Sequence, residues 1–171
     1  MTVTEFATLK LVSPHTWASP DIQAFFRTLS TQQGAWSGYS LRFFADTTDP
    51  QLIYLITGWE SVATHYEWIA SEQNQALLER AEGMIEVEGL AHAELDSEKG
   101  DAQFVVWTQW MPREGESVAG QSGAGLVVDK EGPLAYSLQG YGSEKEAGDL
   151  GVTQGGQSRK TIGAYRLTLE C

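Results

Sequence analysis

Three histidines set the limits of the chemistry this chain can do. His15 sits in a Pro-His-Thr-Trp segment, His65 on a helical pattern and His92 inside an alternating strand. No two have metal-ligand spacing and the single cysteine, Cys171, stands apart, so no metal site is expected. No serine occupies a nucleophile elbow, and the glycines around Gly120 to Gly125 lack the lysine and helix of a phosphate loop. What remains is proton chemistry. An imidazole titrates near neutrality, which suits His65 to removing a phenolic or enolic proton; its other reading is an ordinary helix histidine. His92 could point into the same space, or simply pack. Arg42, in a strand otherwise aromatic and aliphatic, could stabilise an enolate or phenolate, or face solvent. Trp59, Trp68, Tyr39, Phe43 and Tyr54 could wall a pocket for a flat substrate; each alone also reads as core.

These residues need a scaffold. Glu5 to Val12 alternates as a strand. Ser19-Pro20-Asp21 starts a helix, with Ile22, Phe25, Phe26 and Leu29 as its buried stripe, fading by Gly34. Tyr39 to Phe44 and Gln51 to Thr57 are strands about a turn at Asp46 to Pro50. Ser61 caps a helix running to about Met84 with a break at Ser71, its apolar face drawn through Val62, Tyr66, Ile69, Ala76 and Leu77. Val87 to Leu95 is the next strand. Residues 1–97 thus read β-α-β-β-α-β, a ferredoxin-like split βαβ unit with an antiparallel sheet in an α+β fold.

The texture changes after Asp101: 13 of the 18 glycines lie from Gly100 onward. Gln103 to Met111 and Thr161 to Glu170 are strands, Gly125 to Asp129 and Leu134 to Gln139 shorter ones, Ser143 to Gly148 one helical turn, and Gly151 to Ser158 a mobile loop. Residues 102–171 form a degenerate second unit, rich in strand and glycine and poor in helix, expected to pack its strands on the first.

Composition narrows the partners. The net charge is −12, with 14 acidic against 5 basic residues through Lys99 and 9 against 6 beyond it. That balance argues against nucleic acid and against an anionic membrane surface. The N-terminal residues lack the basic and apolar regions of a signal peptide, no run reaches transmembrane length, and one cysteine builds no disulfide framework. A cytoplasmic protein is the expectation.

The strand exit Gly58-Trp59-Glu60-Ser61, with Trp68 nine residues after Trp59 and the β-α-β-β-α-β order around them, resembles the antibiotic biosynthesis monooxygenase-like branch of the dimeric α/β-barrel superfamily. The resemblance covers roughly residues 4–96. It implies subunits paired through their sheets, here as a homodimer or as an intrachain pseudo-dimer made with the second unit. It implies a ligand held between sheet and helices, and a cofactor-independent oxygenase acting on an aromatic or polyketide-like small molecule in a biosynthetic pathway. A non-oxidative cyclase or isomerase, and a non-catalytic binding or stress-response protein, are the alternatives of the same fold. In the haem-degrading branch the iron ligand falls where this chain has Leu78, which speaks against haem. In the polyketide-oxidising branch the strand-exit tryptophan corresponds to Trp59, and a polar ring residue follows where this chain has His65 and, adjacent, Tyr66. No cofactor is expected.

Overall fold

The computed structural model describes residues 2–148 and 159–169. β1 (Val3–Leu11) leads into α1 (Pro20–Ser37), then β2 (Arg42–Asp46), β3 (Leu52–Trp59), α2 (Val62–Ala70), α3 (Glu72–Ala81) and β4 (Ile85–Ala93). A 3₁₀ turn, Ser97–Gly100, precedes β5 (Phe104–Trp110), β6 (Ala124–Leu126), β7 (Ala135–Tyr141), the single turn α4 (Glu144–Ala147) and β8 (Arg159–Leu167). The expected loop at 151–158 lies outside the described residues.

All eight strands join one antiparallel sheet in the order β4-β1-β3-β2-β8-β5-β7-β6. Within the first unit the order is fourth, first, third, second strand. The second unit repeats it as β8-β5-β7-β6. The junction is β2 against β8, Phe43 opposite Leu167. The outer edges approach through one bridge, Ala93 to Val127, with Glu94 N donating to Leu126 O and Val128 N to His92 O at 2.9 Å each. Gly125 permits that approach, since a Cβ there would stand 2.0 Å from the backbone oxygen of Glu94. The sheet is therefore curled but joined at its edges over only a few residues.

Two apolar layers follow from strand alternation. Phe6, Phe44, Tyr54, Ile56, Val105, Trp107, Tyr136, Leu138 and Ile162 fill the concave face. Leu9, Leu11, Ile53, Leu55 and Phe43 face α1 to α3 on the other side, with Phe25, Phe26, Trp68 and Leu77 from the helices. A bulge in β4 matters here. Thr8 pairs with Gly89 but Leu9 with Val87, so Glu88 is the extra residue. The slip resets parity, and Ile85, Val87, Leu90 and His92 all come to face the helices.

Helix details depart from expectation for local reasons. α1 continues past Gly34 to Ser37, because Gly38 ends it in the left-handed conformation (φ 79°) with its N–H on Gly34 O. Ser19 does not cap it with its side chain; its hydroxyl accepts instead from Thr16 N at 2.9 Å. Ser71 does break the second helix, closing on Trp68 O and accepting from Asn74 N. The inward residues of α2 are His65 and Trp68, while Tyr66 is 52% exposed. Seating the Trp68 indole against the sheet turns the helix by about one position from the stripe the sequence suggests. Among the described residues, no helix is long and apolar enough to cross a membrane.

Candidate functional site

A cavity of about 590 Å³ opens between the first sheet unit and its helices. Ala7, Leu9, Phe25, Leu29, Leu55, Trp68, Leu77 and Leu90 are part of its apolar wall. Glu5, Gln33, His65 and Asn74 are the buried polar side chains on it.

Glu5 is carried inward by strand parity: Val3, Glu5, Ala7, Leu9 and Leu11 alternate onto the helix face. Two N–H donors converge on its Oε2, Trp59 Nε1 at 2.5 Å and Gln33 Nε2 at 3.2 Å. Such donors favour the carboxylate, but loss of water outweighs them and pushes the Glu5 carboxyl up to about 7. A carboxyl group poised near neutrality can take a proton and release it again.

His65 is placed by the start of α2. Ser61 accepts from Thr64 N at 3.2 Å and fixes the first turn, and the imidazole then stacks on Trp59 at 4.4 Å between centroids. Its Nε2 lies 3.6 Å from Glu5 Oε2. Its Nδ1 lies 2.6 Å from His92 Nε2. Burial first, then the neighbouring His92, holds the His65 imidazole down to about 3, with Asp129 opposing.

His92 pairs with Glu5 across β1 and β4 and is fully buried behind His65. Asp129, beyond β6, grips it twice: Oδ1 accepts from His92 N at 2.8 Å, and Oδ2 stands 2.7 Å from Nδ1. The carboxylate places a proton on His92 Nδ1. In that tautomer His92 Nε2 accepts from His65 Nδ1–H, which leaves the lone pair of His65 Nε2 directed at Glu5. Asp129, His92 and His65 form a hydrogen-bonded line, and Glu5 Oε2 lies 3.6 Å beyond its end, at the cavity wall.

The residues singled out by sequence divide by face. His65 and Trp68 line the cavity; Trp59 and His92 stand directly behind them. Tyr66 lies outside the cavity wall, its ring 6.4 Å from His65 and 6.3 Å from His92. Phe43 packs on Phe26 and Trp17 in the helix-side core. Tyr54 is on the concave face, its hydroxyl donating to Asp46 Oδ2 at 2.7 Å. Arg42 is on that face too, donating to Ser97 O and facing Asp101 at 3.5 Å. Tyr39 covers Gly58, where a Cβ would meet its ring at 2.5 Å. Sequence reasoning missed Glu5, Gln33, Asn74 and Asp129. A carboxylate on the apolar Ala7–Leu9–Leu11 face was the readable signal for Glu5. Leu78 reaches the cavity with an apolar side chain and offers no ligand to iron.

No protein-family model matches the sequence. No curated protein sequence matches it either. Solved structures do resemble it. One, named as a candidate monooxygenase from Fusobacterium nucleatum subsp. nucleatum, superposes with a TM-score of 0.64 at 9% identity over 99% of this chain and 94% of the other. An anthrone oxidase-like protein gives 0.57 at 11% identity over 98% and 92%. A candidate monooxygenase from Lactobacillus acidophilus gives 0.56 at 14% identity over 96% and 93%. These likenesses, spanning nearly the whole of both chains, show the fold: a ferredoxin-like unit and a second, helix-poor unit sharing one antiparallel sheet.

Proposed function

We propose that the chain is a cofactor-independent oxygenase that removes a proton from an aromatic or polyketide-like small molecule of a biosynthetic pathway. The observation that carries this reading is Glu5, held near neutrality at the wall of an apolar cavity and backed by His65, His92 and Asp129. The names of the similar structures, monooxygenases and an anthrone oxidase-like protein, support it.

With an anthrone as substrate the steps balance. The Glu5 carboxylate accepts a proton from the methylene carbon, and the carbanion is held in a dry cavity. One electron passes to O₂, giving superoxide and a substrate radical. Their recombination forms a C–O bond, and the peroxide, once protonated, loses water to leave the quinone carbonyl. His65, held neutral by burial, turns its Nε2 lone pair toward Glu5, and His92 and Asp129 fix that tautomer.

Oxygen uptake with anthrone is the test. The expected result is uptake of one O₂ per quinone formed, with no metal or flavin added. Turnover that persists without O₂ would replace this reading with a cyclase or isomerase using the same base. Tight binding without turnover would make the chain a binding module.

We also read residues 102–171 as standing where a second subunit stands in the dimeric barrels, because the second unit repeats the strand order of the first and meets it at both edges. Sedimentation is expected to return a monomer; an obligate dimer through the first sheet unit would overturn this.

A further inference from the structure

The cavity has an asymmetry of charge that its apolar wall conceals. Its carboxylate side chains are Glu5, Glu79 and Glu82, and among the described residues no lysine or arginine lines it. Glu79 and Glu82 are exposed at the end of α3, beside the exposed apolar side chains of Leu78 and Val87, so they mark the mouth. Among the described residues neither has a cationic partner within salt-bridge distance. The nearest basic residue in sequence, Arg80, is turned to α1, donating to Thr28 Oγ1 at 3.2 Å. Lys10 is committed to Glu88 on the strand edge. Arg42 and Arg166 lie at Asp101, on other walls of the fold.

An anionic ligand would therefore meet carboxylates at the mouth, lose its hydration in the cavity and find no cation inside. A neutral ligand pays neither cost. A cationic group left at the mouth gains from both glutamates. The interior polar groups, the Gln33 and Asn74 amides and the Glu5 carboxyl, suit hydroxyl and carbonyl substituents.

We infer that the cavity selects against anions: its ligand is a neutral flat molecule, with any charged substituent cationic and held at the Glu79–Glu82 mouth. For the proposed oxygenase, which this inference deepens, a substrate still carrying a carboxylate is excluded. The reaction class that supplies the substrate must then be one that removes or masks the acid. The charge needed for reaction is created inside, by transfer of the proton to Glu5.

Three probes of one shape test this by quenching of Trp68 and neighbouring tryptophan fluorescence at pH 7.5: 2-naphthol, 2-naphthoate and 2-naphthylmethylammonium. The ammonium is expected to bind at least as tightly as the naphthol, and both roughly tenfold or more tighter than the naphthoate. Glu79→Lys/Glu82→Lys, a change at two exposed positions, is expected to raise naphthoate affinity and lower that of the ammonium. Equal affinities, a preference for naphthoate, no binding by any probe, or an order unmoved by the double variant would overturn the inference. Because the readout is binding, it stands apart from oxygen uptake: a protein that ranks the probes as stated but never consumes O₂ loses the oxygenase reading alone.

Discussion

Glu5→Gln is expected to slow anthrone turnover by roughly 10²–10⁴-fold, the range that a positioned general base supplies, and yet to stabilise the protein in mild alkali. Both results come from one feature. Burial raises the carboxyl from 4.5 to about 7, so the folded state binds this proton more tightly than the unfolded chain does. Stability from Glu5 is complete below about pH 4.5 and is lost as pH rises through about 7. A shift of that size amounts to about 3 kcal/mol of order-of-magnitude cost above pH 7. Glutamine accepts the Trp59 N–H in the same place and never ionises. His65 has the opposite sign: its imidazole is depressed from 6.5 to about 3, so its contribution is present above 6.5 and lost as pH falls toward 3. Between about 4.5 and 6.5 the two slopes oppose each other in the wild type. In the variant only the His65 slope remains. Urea unfolding at pH 4 and pH 8 checks this: the variant should match wild type at pH 4 and exceed it at pH 8. Equal stability at both pH values would mean that Glu5 is not a buried, proton-holding group.

Asp129→Asn is the second large effect. Asparagine can still accept from His92 N, but its amide can donate to His92 Nδ1, which the aspartate cannot do. That moves the His92 proton to Nε2, makes His65 Nδ1 the acceptor and puts a proton on the His65 Nε2 facing Glu5. The line of donors is reversed with its geometry kept. A loss of roughly 10²–10⁴ in kcat is expected, the scale seen when a carboxylate that fixes a catalytic histidine tautomer is made an amide. KM should stay within about threefold, because Asp129 is not on the cavity wall. Proton NMR gives an independent readout: downfield imidazole N–H signals from the short His92 contacts should shift or vanish. A kcat close to wild type would remove Asp129 from the mechanism.

The first unit was legible because its elements announce themselves locally. Pro20 with Asp21 starts α1, Ser61 and Ser71 cap α2 and α3, and the strands alternate. The candidate site was legible only where its residues were chemically unusual in their own element, as His65 and His92 are, which the fold brings into contact. Glu5 was hidden by the regularity of its strand, whose alternation passes for an ordinary edge until the charged position is placed on the apolar face. Tyr54 and Arg42 show the converse. They are aromatic and cationic in the right strands, but a single step of parity sends them to the concave face. Asp129 could not be read at all, since it reaches His92 from 37 residues away across an edge bridge that no local signal encodes. The exposed Tyr66 follows from the same kind of limit: periodicity finds a helical stripe, but the bulk of Trp68 decides which edge of the stripe points inward.

β8 is the last strand in sequence and one of the two central strands of the sheet, paired with β2 on one side and β5 on the other. A ribosome therefore releases β2 long before its neighbour exists. From the emergence of Asp46 until Arg159 and the strand after it are made, the nascent first unit carries β2 as an open hydrogen-bonding edge, and β5 waits with an open edge of its own. Exposed edges of this kind pair with whatever strand arrives first, including one from another chain. The insertion of β8 is thus the step that closes both open edges and joins the two half-sheets at the centre of the sheet.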